Sequence, residues 1–423
     1  MSNPTNPTNP TITTSTCTAT KPSSITIITS PYHAGRRREE GVSSGPDFIR
    51  GVLVSALEES GLFSFSFSPS SPASTTATAT VITTTTGTAA TSSFPSSHHG
   101  SDSQGQSQDG SQIQIESQCQ SQSGSRRVPV YEVEIPPISD EDGEEKYKGE
   151  IGCTFEILRR TSTAVSAARE SGSFPIVLAG NCVASVGVAA GLCFSHLSWD
   201  RDGGENGITG DGNENGHSKS ENKLGCVWFD AHDDYNVPDT IVSGYFDSQG
   251  IAMLAGESWK TLLTSIPGFQ PVDLARVIHC GVRDVNERER ERVERSGMGA
   301  VWGYVHGGRA DYVGGLRREL ESRFGDNDSG TGTGEKDGSM LLHLDLDVLD
   351  VSIGKANAFA CPGGLTREDL LGCLEAVLEK TTPLALTVAS FDPGCDGEEA
   401  AGRIAGIAVE AVQLVAHDAI SRP

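Results

Sequence analysis

Asp230, His232 and Asp234 stand at alternate positions in GCVWFDAHDDYN, Gly225 to Asn236, directly after the apolar run Val227-Trp228-Phe229. In an extended chain, alternate side chains leave the backbone on one side. Two carboxylates and an imidazole would therefore converge where a buried strand ends. Burying such groups unpaired is costly. A divalent cation relieves the cost, and ions such as Mn²⁺ take O and N donors of this kind. An acidic loop after a core strand is the plainer alternative. A second stretch, MLLHLDLDVLD from Met340 to Asp350, repeats the pattern, with Leu342, Leu344 and Leu346 on one side and His343, Asp345 and Asp347 on the other. Two such segments make facing rows of donors. Asp230, His232, Asp234, Asp345 and Asp347 are more than one ion needs, but they suit two ions that share carboxylates about 3.5 Å apart.

Positioning these rows requires a rigid frame, and the chain predicts one by alternation of strand and helix. ITIITS from Ile25 reads as a β-branched strand, and SSGPDFIRGVLVSALEESGLF as a helix start followed by an amphipathic helix. VPVYEVEIP is a strand, and TFEILRRTSTAVSAARESG a helix. PIVLAGNCVASVGVAAGL gives strand, tight turn and helix. The DAHDD segment reads as a strand, SGYFDSQGIAMLAG as a loop into a helix, and RVIHCGVRDV as a strand. Asn286 to Glu294 is a solvated helix, AVWGYV a short strand, and Tyr312 to Phe324 a helix. After LLHLDLD come the helix GGLTREDLLGCLEAVLEK, the strand LALTVASFD and a closing helix. Strands that are continuous apolar runs, alternating with helices, predict an α/β fold: a mostly parallel sheet covered on both faces. Ligands in such folds sit at the carboxyl ends of strands, where both donor rows fall.

The rest of the 423 residues reads differently. Residues 1–24 form a Ser/Thr/Pro/Asn tail of low complexity. Residues 25–423 read as one domain interrupted by low-complexity insertions at about 64–125, 200–222 and 326–338. His98 and His99 lie in the first insertion and are given no role. The net charge of −24 argues against nucleic acid or an anionic membrane as partner, and favours small cationic ligands weakly. No apolar run approaches the ~20 residues of a membrane span. The N-terminus has no apolar segment of signal-peptide type. Ten scattered cysteines without a CxxC pair then point to reduced thiols of a cytoplasmic protein.

The segments DAHDD, SGYFDSQGIAML, HLDLDVLD with the following PGGLTREDL, and AGNCVASVG, in this order, resemble the arginase/agmatinase ureohydrolase family. The resemblance runs from PYHAGRRREEGVSSGPDFIR to the last helix. It implies a three-layer α/β/α fold, a homo-oligomer (trimer or hexamer), two Mn²⁺ ions and hydrolysis of a C–N bond in a guanidino, amidine or formimino compound by a metal-bridging hydroxide. By the same resemblance Asp230 and Asp345 bridge the ions, Asp234 binds the first, and His232 and Asp347 bind the second. Asp234 would also hold the nucleophile and pass its proton to the leaving amine. His343 orients a carboxylate or is a hydrogen-bonded core histidine.

Three positions depart from the family pattern. Cys182 stands where a His ligand is expected. It is either a thiolate ligand, which shifts preference toward Zn²⁺, Fe²⁺ or Ni²⁺, or a small buried thiol. Asp247 stands where arginases carry a proton-shuttling His, and is a shuttle, a binder of cationic substrate or a helix cap. Ser390 replaces the acidic group that grips guanidinium, with Asp392 two residues on as a partial substitute. Arginine and agmatine are thereby disfavoured as substrates. Asn236 and Ser243 match positions near the substrate in arginases. The competing expectation is a catalytically silent homologue that acts as an oligomeric regulator or metabolite-binding module.

Overall fold

The computed structural model describes residues 21–33, 41–65, 127–138, 149–197, 222–304, 310–325 and 338–422. The central feature is a nine-stranded sheet in which every pairing is parallel. Its strands are β1 (Ser24–Ser30), β2 (Phe63–Phe65), β3 (Val128–Glu134), β4 (Ser173–Ala179), β5 (Gly225–Phe229), β6 (Val277–Cys280), β7 (Gly299–Val301), β8 (Ser339–Asp345) and β9 (Thr382–Ala389), in the order β2-β3-β1-β4-β9-β8-β5-β6-β7. The chain builds outward from β1, crosses to β4, skips two places to β5, runs to the far edge at β7, and returns to fill the gap with β8 and β9. β1, β4 and β5 are buried along their whole length, as continuous apolar strands in a covered parallel sheet should be.

Helices cover both faces. One face carries α1 (Gly45–Glu59), α7 (Tyr312–Phe324), α8 (Arg367–Lys380) and α9 (Glu398–Ser421), whose Leu53, Leu316, Leu374 and Val412 pack on Ile27, Val227, Phe229 and Leu342. The other carries α2 (Gly149–Glu170) and α3 (Ala184–Leu197), whose Val165 and Val188 pack with Val177, Cys226, Trp228 and Leu341. β5 shows the alternation directly: Val227 and Phe229 face the first layer, Cys226 and Trp228 the second. The three-layer expectation is met.

Local signals explain the helix ends. α6 (Glu287–Arg295) opens on a capping box between Asn286 and Glu289, and α8 on one between Thr366 and Asp369. α4 (Gly250–Leu254) and α5 (Lys260–Leu263) are single short turns. α9 is long and apolar enough by composition to cross a membrane, contrary to the expectation that no segment is. It is a core helix here, with Ile404, Ala408, Val412 and Val415 buried against α1, α8 and β9.

Other expectations change in detail. β2 occupies Phe63–Phe65, so the first insertion begins later than residue 64. The remainder of that tract, with His98 and His99, lies outside the described residues, as do most of the other two insertions. The DAHDD segment is not a strand: β5 ends at Phe229, and Asp234 adopts a left-handed φ of 44°. Asp347 likewise lies in a 3-10 turn, Leu346–Val348, beyond β8.

Candidate metal centre

Four adjacent strands, β4, β9, β8 and β5, end at one edge of the sheet, and the first residues of their exits form a single buried cluster. β4 delivers Cys182 at the entry to α3. β9 delivers Ser390, held at a left-handed φ of 62°. β8 delivers Asp345 and Asp347, and β5 delivers Asp230, His232 and Asp234. Asp230, Asp234, Asp345, Asp347 and Cys182 are each at most 5 % exposed, and the His232 side chain is 27 % exposed. Leaving the strand geometry at Phe229 and Asp345 lets the loops fold over the sheet edge and turn the donors toward one another.

Among the described residues, two groups have donor atoms within 4.8 Å of one another: Asp230, His232 and Asp347, and Cys182, Asp230 and His343. Asp230 belongs to both. His232 Nδ1 lies 3.4 Å from Asp230 Oδ1 and 3.3 Å from Asp347 Oδ2, and Nε2 lies 3.7 Å from Asp284 Oδ2. The Cys182 thiol donates to Asp345 Oδ2 at 2.8 Å and lies 3.0 Å from Ser390 Oγ. The carboxylates are fixed by their own loops. The His232 N–H donates to Asp230 Oδ1, and the Asp347 N–H to Asp345 Oδ1, each at 2.8 Å. Trp228 Nε1 donates to Asp230 Oδ2 at 3.1 Å, and Asn357 Nδ2 to Asp347 Oδ2 at 3.1 Å.

The charge balance is unusual. Burial, and then the neighbouring carboxylates, push Asp230, Asp234 and Asp345 above the usual carboxylate range. Burial and the Asp345 charge raise the Cys182 thiol in the same way. Burial would lower His232, but the Asp347 charge and the hydrogen bond with Asp230 outweigh it and raise the imidazole well above its ordinary value. Asp234 Oδ2 is buried without a hydrogen-bond partner. Clustered buried carboxylates with an orphaned oxygen are stabilised by a positive charge placed among them. The donor set, carboxylate oxygens with imidazole and one thiol, fits divalent cations.

Asp247 sits beside the cluster in a 3-10 turn, Phe246–Gln249. It accepts a short hydrogen bond from Asn181 Nδ2 and a longer one from Tyr245 OH at 3.4 Å. Burial pushes it up to about 7. The remaining expected contacts lie elsewhere. Asn236 Nδ2 is turned toward Asp233 Oδ1 at 3.2 Å and Glu289 Oε1 at 3.0 Å. Ser243 is exposed and accepts from the Tyr245 N–H, at 3.2 Å. Asp392 is half-buried and accepts from the Gly394 N–H within its own turn. Several groups carry no mark in the sequence. Asn357, which ties Asp347 to the Ser390 carbonyl, has no local motif. Trp228 was readable, standing two residues before Asp230 on the same face. An aromatic wall of His33, Tyr245 and Phe359 adjoins His232, with ring centroids 5.3–6.3 Å apart.

A parallel three-layer α/β/α sheet with a buried acidic cluster at the carboxyl ends of its central strands is where such folds bind ligands. The model of the Arginase family matches residues 88–414, and the chain belongs to that family. The arginase of Eremothecium gossypii is 26 % identical over 235 residues, 54 % of this chain and 49 % of its own. That of Bacillus caldovelox is 26 % identical over 225 residues, 53 % and 63 %. The chain thus spans about half the length of the curated relatives it matches. Among solved structures, the B. caldovelox arginase superposes with a TM-score of 0.57 at 20 % identity, covering 95 % of this chain and 99 % of that one. An Entamoeba histolytica arginase gives 0.59 at 13 %, covering 94 % and 99 %.

Proposed function

We propose that the chain is a binuclear metal-dependent hydrolase acting on a non-peptide C–N bond of a guanidino, amidine or formimino compound. The observation that carries this reading is that Asp230 is common to both donor groups, the place a shared carboxylate takes between two ions. Asp230, Asp234, Asp345 and Asp347, with His232 and Cys182, would hold the ions, with Mn²⁺ the family expectation. Divalent ions there would supply Lewis acidity and an activated water at neutral pH. The residues do the rest. Asp234, with its free Oδ2, accepts one proton of the attacking water as the C–O bond forms, and returns it to the leaving nitrogen as the C–N bond breaks. Asp247 stands behind it, tied to Asn181 and Tyr245, to exchange that proton with solvent.

The aromatic wall of His33, Tyr245 and Phe359 suits a planar amidinium, which binds over ring faces. Ser390 offers it a hydroxyl where a carboxylate would grip a guanidinium, which favours amidines other than arginine. Asn236, Ser243 and Asp392 are proposed as second contacts with longer substrates. The cysteines among the described residues are all free thiols, in keeping with a cytoplasmic location. By likeness to the family, the proposed assembly is a trimer or hexamer.

The test is turnover of a panel of formimino, guanidino and amidine compounds by the purified protein supplied with Mn²⁺, Zn²⁺ or Ni²⁺. Ammonia, formamide or urea release from at least one compound is expected, with loss in Asp234→Asn. No turnover of any compound with any ion would overturn the enzyme reading in favour of a catalytically silent homologue.

A further inference from the structure

The second donor group contains a residue outside the family pattern. Cys182 Sγ, an Asp230 oxygen and a ring nitrogen of His343 lie within 4.8 Å of one another, and all three residues are buried. His343 points to the same face as Asp345, two residues on, and stacks on Trp228 with ring centroids 3.7 Å apart. Trp228 in turn donates to Asp230, so one indole positions both the imidazole and the carboxylate. Ser185 lies one helical turn beyond Cys182 on α3, and its Oγ is 2.8 Å from His343 Nδ1. His343 Nε2 is completely buried and has no hydrogen-bond partner. A histidine ligand has one ring nitrogen anchored by an outer partner and the other left as a lone pair, and His343 has both that anchor and two further donor atoms within 4.8 Å, which the equally buried His279 on β6 lacks among the described residues.

We propose that the ion on the Cys182 side is held by a cysteine–aspartate–histidine set, Cys182, Asp230 and His343, with Ser185 fixing the imidazole tautomer. His343, approaching from β8, provides imidazole ligation on the side where Cys182 has taken the place of the family's histidine. Thiolate and imidazole, added to the carboxylates of Asp230, Asp234 and Asp345 around them, make a mixed sulfur, nitrogen and oxygen donor set of the kind zinc takes. The chain therefore holds two unlike sites. The Cys182 side selects Zn²⁺ or a similar thiophilic ion. The Asp230–His232–Asp347 side, with oxygen and nitrogen donors only, accepts Mn²⁺. This inference rests on the reading of the cluster as a metal centre.

The full-length protein, freed of metal and reloaded with Co²⁺, tests it without any substrate. A thiolate-to-cobalt charge-transfer absorption is expected. It should vanish in Cys182→Ser, and in His343→Phe the ion on that side should be lost to a competing chelator more than about 100-fold more readily, beyond what loss of an outer partner costs. Zinc-edge X-ray absorption on the unsubstituted protein gives the same answer without relying on either variant folding: one sulfur neighbour together with imidazole scattering. Metal bound with oxygen and nitrogen neighbours only, and released in Asp347→Asn but not in Cys182→Ser, would overturn the cysteine–histidine site and leave the metal-centre reading standing. Unchanged cobalt binding in His343→Phe would remove His343 from the ligand set. No binding of Co²⁺, Zn²⁺ or Mn²⁺ by the unsubstituted chain would end both.

Discussion

Asp347 is the one carboxylate of the cluster drawn below the usual range. Burial pushes it up, but the His232 charge and hydrogen bonds from His232, Asn357 and the Ala231 N–H pull it further down. On the proposed reading of the cluster, Asn357 is an outer partner of a ligand. Asn357→Ala should weaken metal binding by about 10–100-fold, read by competition with a chelator. Unchanged affinity would show that Asp347 is oriented by its own loop. His279 sits on β6 level with Trp228 and is fully buried. Burial lowers it to about 3. The unfolded chain therefore takes up this proton from near pH 6.5 downward and the folded chain does not. Stability from His279 is complete above pH 6.5 and is lost as pH falls toward 3. His279→Leu should make the acid side of the melting profile shallower, and an unaltered slope would contradict this. Asp230, His232, Asp345 and Asp347 stood out by their spacing of two and do lie together, but the turns after Phe229 and Asp345 gather them, not a shared strand face. Asn357 and Ser185 did not stand out, because their partners lie 10 and 158 residues away and no local pattern links them.

At the scale of elements, the cluster depends on how each strand is left. Gly281, directly after β6, has φ 105°, and a Cβ there would lie 2.5 Å from Val348 and 3.0 Å from the Asp230 carbonyl. The neighbouring Cys280 carbonyl accepts from the Asp230 N–H at 3.2 Å. Gly281→Ala should therefore cost about 1–3 kcal/mol in chemical denaturation and weaken metal binding with it. A loss below about 0.5 kcal/mol would mean that the turn is free to relax. Buried strands such as β1, β4, β5 and β8 announced themselves as apolar runs of β-branched and large residues. β2, three residues long, has too few side chains to show a period, and the tract after it masked its edge. The left-handed turns at Asp234 and Ser390 were illegible for another reason. Neither is glycine, and the surrounding hydrogen bonds, such as that from the Ile251 N–H to the Asp234 carbonyl at 2.7 Å, impose the conformation.

Across the whole molecule, the alternation of strand and helix predicted the parallel three-layer sheet. The strand order was not legible, because in a parallel sheet the crossovers decide which strands become neighbours. That order is what makes the site: β8 and β9 return late in the chain to lie between β4 and β5, so donors more than 160 residues apart in sequence meet at one edge. The central claim is that Asp230 is shared by two metal positions, and metal content per chain tests it most directly. Protein purified without chelator and measured by elemental mass spectrometry should carry about two equivalents of divalent metal. Asp230→Asn, isosteric and still folded by circular dichroism, should lose both together. An Asp230→Asn protein that keeps its full complement, or that loses one ion and holds the other undiminished, would contradict a shared carboxylate.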